Sequence, residues 1–272
     1  MDSTPLNDKV ALVTGAGRNI GRAIALALAR RGCHLTLVDI DAGGLGATAR
    51  EAEAFGVRAV ARRMDVTDRV AVAALPAEVR AAHGRVDLLV NNAGVAVGGT
   101  FEQVSEADFD WLIAINFDAV VRMTRAFLPL LQTSDDARIV NLSSIYGIVA
   151  PAGQAAYAAS KFAVRGFSNA LRHELEGTRV GVTVVHPGGV ATAIARSARV
   201  PAGISAEEIE RRRAAADRKL RMPPARAGEI IVRAVERRRA RVLVGADAVV
   251  VALLERLAPV GYWSVLRRMI GD

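Results

Sequence analysis

A serine, a tyrosine and a lysine stand close together in the stretch NLSSIYG…YAASK, at Ser144, Tyr157 and Lys161. Tyr157 and Lys161 are four residues apart, so on a helix they share one face, about one turn from each other. An ammonium beside a phenol favours the phenolate and is expected to pull an acid with an ordinary pKa of about 10 towards neutrality. Such a pair could move a proton to or from an alcohol oxygen, and the upstream serine hydroxyl could hydrogen-bond that same oxygen. YxxxK alone is equally consistent with two residues that meet by chance on a solvated helix. The elements around them decide.

Those elements alternate. VALVT (10–14), HLTLVD (34–39), RAVARRMD (58–65), VDLLVNN (86–92), ARIVNLS (137–143) and VGVTVVHP (180–187) read as strands. The near-continuous Val/Leu content of most of them is that of strands buried on both faces, as in a parallel sheet. Helical stretches lie between them, among them IGRAIALALARRG and EADFDWLIAINFDAVVRMTRAFLPLL. Repeated βα units of this kind predict an α/β fold: a Rossmann-like doubly wound parallel sheet of about seven strands, with helices on both faces in three αβα layers. RVLVG (241–245) is expected to add at the sheet edge. The segment at about 193–224 breaks the rhythm with Pro201, Gly203, Pro223 and Pro224 around a charged helix, and reads as an insertion over the carboxyl edge. No repeat or linker interrupts residues 1–272, so one domain is expected, with a C-terminal extension at about 246–272.

Composition narrows the function classes. The chain has 272 residues, of which 51% are hydrophobic, 24% charged and only 4% aromatic, so the core must be mostly Ala, Val, Leu and Ile. No apolar run reaches the roughly 18 residues that span a bilayer. The start, MDSTPLNDK, lacks the basic-then-apolar order of a signal peptide. Cys33 is the single cysteine, which excludes an internal disulfide or a zinc cluster. A cytoplasmic location is expected. The net charge of +8 is concentrated between Glu207 and Arg241, where twelve Lys/Arg face six Asp/Glu. No aromatic-studded basic stripe accompanies it, so nucleic acid is not an expected partner. Lysine occurs only at Lys9, Lys161 and Lys219, which makes a lysine four residues after Tyr157 more notable in an arginine-using chain.

After the first strand comes TGAGRNIG (14–21), opening directly into a helix. Glycines there let the backbone approach a pyrophosphate, and the helix N-terminus supplies N–H groups and positive potential. Gly15, Gly17, Arg18, Asn19, Ile20 and Gly21 are therefore the candidate cradle. Asp39 ends the next strand, where a carboxylate accepts hydrogen bonds from ribose hydroxyls and repels a 2′-phosphate, favouring NAD over NADP. Asp41 adds negative charge, while Arg18 favours a 2′-phosphate. NAD is the expected cofactor.

With the glycine turn, NNAG (91–94) and the Ser–Tyr–Lys set in order, the chain from about Lys9 to Thr192 resembles the short-chain dehydrogenase/reductase family. The resemblance implies that Asp65 and Val66, in MDVTD, contact adenine and that Asn92, Ala93 and Gly94 lie beside the cofactor. It also implies that Pro187, Gly188, Val190 and Thr192, in HPGGVAT, face the nicotinamide. By the same resemblance Tyr157 is the general acid or base, and Lys161 lowers its pKa and bonds the nicotinamide ribose. Ser144 holds the substrate oxygen, and Asn116, in INFDAV, holds a water that relays protons from Lys161. The family turn usually has Gly where this chain has Asn19, the non-glycine residue that best tolerates a left-handed backbone. Ser143 is expected to support the loop. A homodimer or homotetramer is implied, since in the family the helices of Asn116 and Tyr157 commonly pair between subunits.

His34, His83, His173 and His186 show no metal-ligand spacing and read as surface or strand-end residues, and no metal is expected. Cys33 reads as a packed thiol. Phe109, Trp111 and Phe117 read as core or subunit contacts before any substrate role. In the C-terminal run, Val249, Leu253, Leu254, Leu257, Tyr262, Trp263, Leu266 and Met269 could form an apolar face with Arg256, Arg267 and Arg268 beside it. Subunit packing or cover over the substrate mouth is the plainer reading, and contact with a membrane surface the second. Ile194, Val200, Ile204 and Leu220 are the candidate pocket wall. Apolar and without a charged clamp, they predict a secondary alcohol or ketone on a hydrophobic molecule such as a lipid, steroid or terpenoid. The arginine surplus allows an alternative, a 3-oxoacyl thioester of CoA or an acyl carrier reduced with NADPH. A non-catalytic dinucleotide sensor or scaffold is a third reading, against which stands the retention of both Tyr157 and Lys161.

Overall fold

In the computed structural model, which describes residues 5–270, seven strands form one parallel sheet in the order β3-β2-β1-β4-β5-β6-β7. These are β1 (Val10–Thr14), β2 (His34–Asp39), β3 (Ala59–Arg63), β4 (Leu88–Asn91), β5 (Ala137–Leu142), β6 (Val180–Pro187) and β7 (Arg241–Val244). Residues 1–4 of the opening stretch MDSTPLNDK lie outside the described residues, as does the side chain of Met269.

The expected doubly wound architecture is present. Helices α1 (Asn19–Ala29) and α2 (Ala42–Glu53) pack on one face of the sheet; α3 (Arg69–His83) packs on the other. Between β4 and β5 the chain runs through α4 (Glu106–Ile113), a π-helical turn at Ala114–Asp118, and α5 (Ala119–Leu131). The long α6 (Ala155–Glu174) follows β5 and joins α3 and α5 on their face. After β6 come α7 (Ala206–Lys219) and α8 (Pro224–Glu236), and α8 returns to the face of α1. Helices α9 (Ala246–Leu257) and α10 (Tyr262–Ile270) follow β7. No helix among the described residues is long and apolar enough to cross a membrane, and no acid, His and Cys cluster among them could hold a metal ion.

β1, β4 and β5 are buried at every position, and Leu12, Leu89 and Ile139 are fully enclosed. β3 is not among the strands buried on both faces. It is an edge strand, and its last three residues, Ala61, Arg62 and Arg63, are exposed, as one unpaired edge allows. β7 takes the other edge, as RVLVG predicts. Cys33 is fully buried, and burial raises its thiol pKa well above the ordinary range, so it is a packing residue.

Two contacts fix the layer that carries the glycine turn. Proline at the start of α8 supplies a helical φ where no N–H is needed. Gly228 then lets α8 cross α1 closely: a Cβ there would lie 2.6 Å from the Ala23 carbonyl carbon. The order in which strands are added reverses between β1 and β4, which opens a crevice at the carboxyl ends of these parallel strands.

Candidate active site

The turn after β1 is built to bring backbone close to a ligand. Gly15 has φ +65°, and a Cβ there would sit 2.8 Å from Asn92 Nδ2 and 2.9 Å from Ala93 Cα. At Gly21 a Cβ would fall 2.0 Å from the Gly15 carbonyl oxygen, so only glycine lets α1 start this near the turn. Asn19, with φ +53°, takes the left-handed conformation that its departure from the family pattern requires. No side chain caps α1 and its first turn carries no acid, so its N–H groups and positive end are suited to a diphosphate. Arg18 is exposed beside this turn, and Ile20 packs against the core.

Asp39 reaches back to the same turn. Its Oδ2 accepts the Gly17 N–H at 2.8 Å and its Oδ1 accepts the Asp41 N–H at 3.0 Å. Each oxygen keeps a lone pair that could meet a ribose hydroxyl. Asp41 is used as the N-cap of α2, accepting from Gly44 N–H. Asp65 is exposed and its Oδ1 accepts from the Thr67 N–H and hydroxyl, each at 2.8 Å, while Val66 is buried against the core.

NNAG is tied to the turn through Thr14. The Asn92 and Ala93 N–H groups donate to Thr14 Oγ1 at 3.0 and 3.1 Å, and Asn92 Nδ2 donates to the carbonyls of Thr14 and Gly15. Gly94 lies where two further groups converge: a Cβ there would be 3.2 Å from Asn116 Oδ1 and 3.5 Å from Lys161 Nζ. Asn116 sits in the π-helical turn and is fully buried. Its Oδ1 accepts the Val95 N–H at 2.8 Å, and its Nδ2 donates to Val95 O and Ser160 Oγ. One lone pair of Oδ1 is left.

Lys161 and Tyr157 stand one turn apart on α6, with Lys161 Nζ 5.6 Å from the centre of the Tyr157 ring. The buried ammonium donates to Leu142 O at 3.0 Å, and burial pulls its pKa down to about 8. Tyr157 corrects the expectation drawn from the pair. Its pKa is pushed up to about 12, first by burial and also by Tyr146, against a lowering hydrogen bond from Ser144. Loss of water around a phenolate outweighs a nearby ammonium that spends its bond on a carbonyl. The Tyr146 ring meets Tyr157 edge-on, with centres 6.0 Å apart.

Ser144 caps a 3₁₀ turn at Ile145–Gly147, its Oγ accepting the Tyr146 N–H at 3.1 Å. That leaves the hydroxyl proton for the Tyr157 oxygen. Ser143 Oγ donates to Lys161 O at 2.8 Å, the supporting contact expected of it.

His186 is a residue whose place the sequence did not give. Read as a surface or strand-end position, it lies next to last in β6, near the strand end, but is fully buried. Its Nδ1 lies 2.9 Å from Ser144 O, a contact that requires the Nδ1–H tautomer, and burial lowers its pKa to about 4. Its Nε2 has no partner among the described residues. The signal available was a histidine closing an otherwise apolar strand directly before Pro187. Asp247 was also missed. Its carboxylate accepts the Gly189 N–H at 2.6 Å, bracing the segment that follows β6 from the first turn of α9. Pro187 and Val190 are buried, and Gly188 and Thr192 are half-buried in that segment. Beyond it, Ile194, Val200, Ile204 and Leu220 are all half-buried. Arg199 pins the stretch down: its guanidinium stacks 3.5 Å over the Trp111 ring and pairs with Asp108 at 2.8 Å. Phe109 and Trp111 join a small apolar cluster, and Phe117 packs edge-on against Phe167.

The profile of the short chain dehydrogenase family matches residues 9–202, and the chain belongs to that family of oxidoreductases. Among curated relatives, SadH of Mycobacterium tuberculosis, which carries an oxidoreductase name, is 44% identical over 257 residues, covering 93% of this chain and 92% of SadH. A short-chain dehydrogenase/reductase from Burkholderia phymatum, solved in complex with NAD, superposes with a TM-score of 0.87 at 30% identity, covering 94% of this chain and 95% of its own. A metagenomic short-chain oxidoreductase solved with NADP has a TM-score of 0.65 at 40% identity, over 70% of this chain and 86% of its own. Both dinucleotides therefore occur among similar structures.

Proposed function

We propose that this protein is an NAD-preferring oxidoreductase that interconverts a secondary alcohol and a ketone on a hydrophobic molecule, acting in the cytoplasm as a homodimer or homotetramer. The observation that carries this reading is the meeting of Ser144, Tyr157 and Lys161 beside Gly94, at the mouth of the glycine turn. Gly15, Gly17, Arg18, Asn19, Ile20 and Gly21 would hold the diphosphate, and Asp39 the adenosine ribose. Asp65 and Val66 would border the adenine; Asn92, Ala93, Gly94, Pro187, Gly188, Val190 and Thr192 would border the nicotinamide end. Bound there, the dinucleotide supplies or takes up the hydride.

The chain's own residues handle the proton. With its pKa at about 12, Tyr157 holds its phenolic proton at neutral pH and can give it to a carbonyl oxygen during reduction. The Ser144 hydroxyl can donate to that oxygen and stabilise charge on it. Lys161, at about 8, is mostly an ammonium at neutral pH and favours the phenolate left behind. The free lone pair of Asn116 Oδ1, close to Lys161, could hold a water that restores the proton from solvent.

NAD is preferred because a carboxylate at Asp39 repels a 2′-phosphate, whereas Arg18 is free to swing away. The half-buried aliphatic wall favours a hydrophobic substrate. An acyl-carrier thioester has less support, because several arginines of the 207–241 segment already pair with its own acids. Arg211 and Arg212 pair with Glu208, Arg213 with Glu210, and Arg233 with Glu229. Nicotinamide absorbance, followed with NAD(H) and NADP(H) over free ketones, alcohols and 3-oxoacyl thioesters, tests this. Turnover of apolar free ketones with NADH is expected. Turnover confined to thioesters with NADPH would contradict the reading.

A further inference from the structure

Helices α9 and α10 close over the molecule with one face and leave the other bare. Inward, Val251, Leu254, Tyr262, Trp263 and Leu266 pack with Ile148 and Val149 beside the Ser144 turn, and Tyr262 accepts the Ala150 N–H at 3.1 Å. Outward, Val249, Val250, Leu253 and Leu257 are 51%, 52%, 56% and 75% exposed, and Val260 after them is 89% exposed. At helical spacing those four residues of α9 fall within one arc of about 100°. It is a continuous apolar strip.

Its charges are sorted. Arg256 borders the strip on α9, and Arg267 and Arg268 are exposed on α10. The described acids of the two helices lie off the strip: Asp247, though exposed, falls outside the arc and accepts from Gly189 N–H, and Glu255 is half-buried and acts on Arg241. An apolar strip bordered by Arg256, with no acid within its arc, matches a surface that offers hydrocarbon below and anions above. A second copy matches it poorly. In a two-fold contact the strip would meet itself, with Arg256 on its border and no acid within its arc to pair that charge.

We propose that the outward face of α9, with the arginines of α9 and α10, docks the protein on an anionic lipid surface. α9 begins at the Asp247–Gly189 contact, so docking would bring the mouth of the site to the membrane, where an apolar substrate would reside. The inference is independent of the cofactor and of catalysis, since binding is read without turnover.

Co-sedimentation of the full chain with vesicles of phosphatidylcholine, alone or mixed with phosphatidylglycerol, tests it. The protein is expected to pellet with the mixed vesicles and to remain largely in solution with phosphatidylcholine alone. Leu253→Asp together with Leu257→Asp should abolish pelleting while leaving the Tm unchanged, because both side chains are exposed. Arg256→Gln, Arg267→Gln and Arg268→Gln should each weaken binding roughly fivefold, the equivalent of about 1 kcal/mol per basic residue near an anionic surface. No binding to mixed vesicles would overturn the proposal. So would a dimer, seen by sedimentation, that the Leu253→Asp/Leu257→Asp variant dissociates.

Discussion

Burial acts on three ionisable side chains around the site, each time against the charged form. Lys161 falls to about 8, Tyr157 rises to about 12 and His186 falls to about 4. For His186 this is also a statement about stability. The native ring binds its proton less readily than the unfolded one, whose pKa is about 6.5. Its contribution is therefore complete above the unfolded value and is lost as pH falls through the interval down to about 4. The loss is roughly 3 kcal/mol over that interval. His186→Asn can still donate to Ser144 O yet has no proton to bind. Denaturant midpoints measured between neutral pH and pH of about 4 should fall less for this variant than for the parent. Parallel curves would show that His186 is not the titrating group. Residue chemistry was only partly legible in the sequence. Tyr157 and Lys161 could be picked out by spacing, but the direction of the tyrosine shift depends on how much water the fold removes. Spacing does not encode that.

At the scale of elements, the glycine turn depends on a packing contact far from it in sequence. Gly228 of α8 lies against Ala23 of α1, the helix whose N-terminus forms the cradle. Gly228→Val would press a branched side chain onto backbone that cannot yield. It is expected to cost about 1–3 kcal/mol, read as a lower Tm, and to weaken dinucleotide binding by tilting α1. An unchanged Tm would show that the crossing has slack. The long-range partner of α1 was not readable from the sequence, because an Ala/Gly helix contact leaves no apolar periodicity of its own. The strands were. β1, β2 and β6 keep the limits that their Val/Leu runs suggest, since each is bounded by a turn residue or by Pro187. β3 carries Arg62 and Arg63 because an edge strand tolerates them, and a buried one does not. The π-helical turn inside EADFDWLIAINFDAVVRMTRAFLPLL was invisible, for its residues carry an ordinary helical pattern. Yet it is this turn that holds Asn116 beside Gly94.

At the scale of the whole molecule, the site is a product of topology. The turn after β1, the end of β4, the Ser144 turn after β5 and the segment after β6 meet because parallel strands place all their carboxyl ends on one side of the sheet. α6 then lays Tyr157 and Lys161 across them. The alternation of strands and helices predicted that architecture, and the family motifs fell in order along it. The outward face of α9 follows no such rule, so only the folded chain reveals which side of that helix is covered. Catalysis as proposed requires that this assembly move a proton at the Tyr157 oxygen. Steady-state turnover of Tyr157→Phe beside the parent, with dinucleotide binding measured in parallel, tests it most directly. Turnover is expected to fall by about 10²–10⁴-fold with dinucleotide affinity retained. Ordinary turnover in the Tyr157→Phe variant would contradict it.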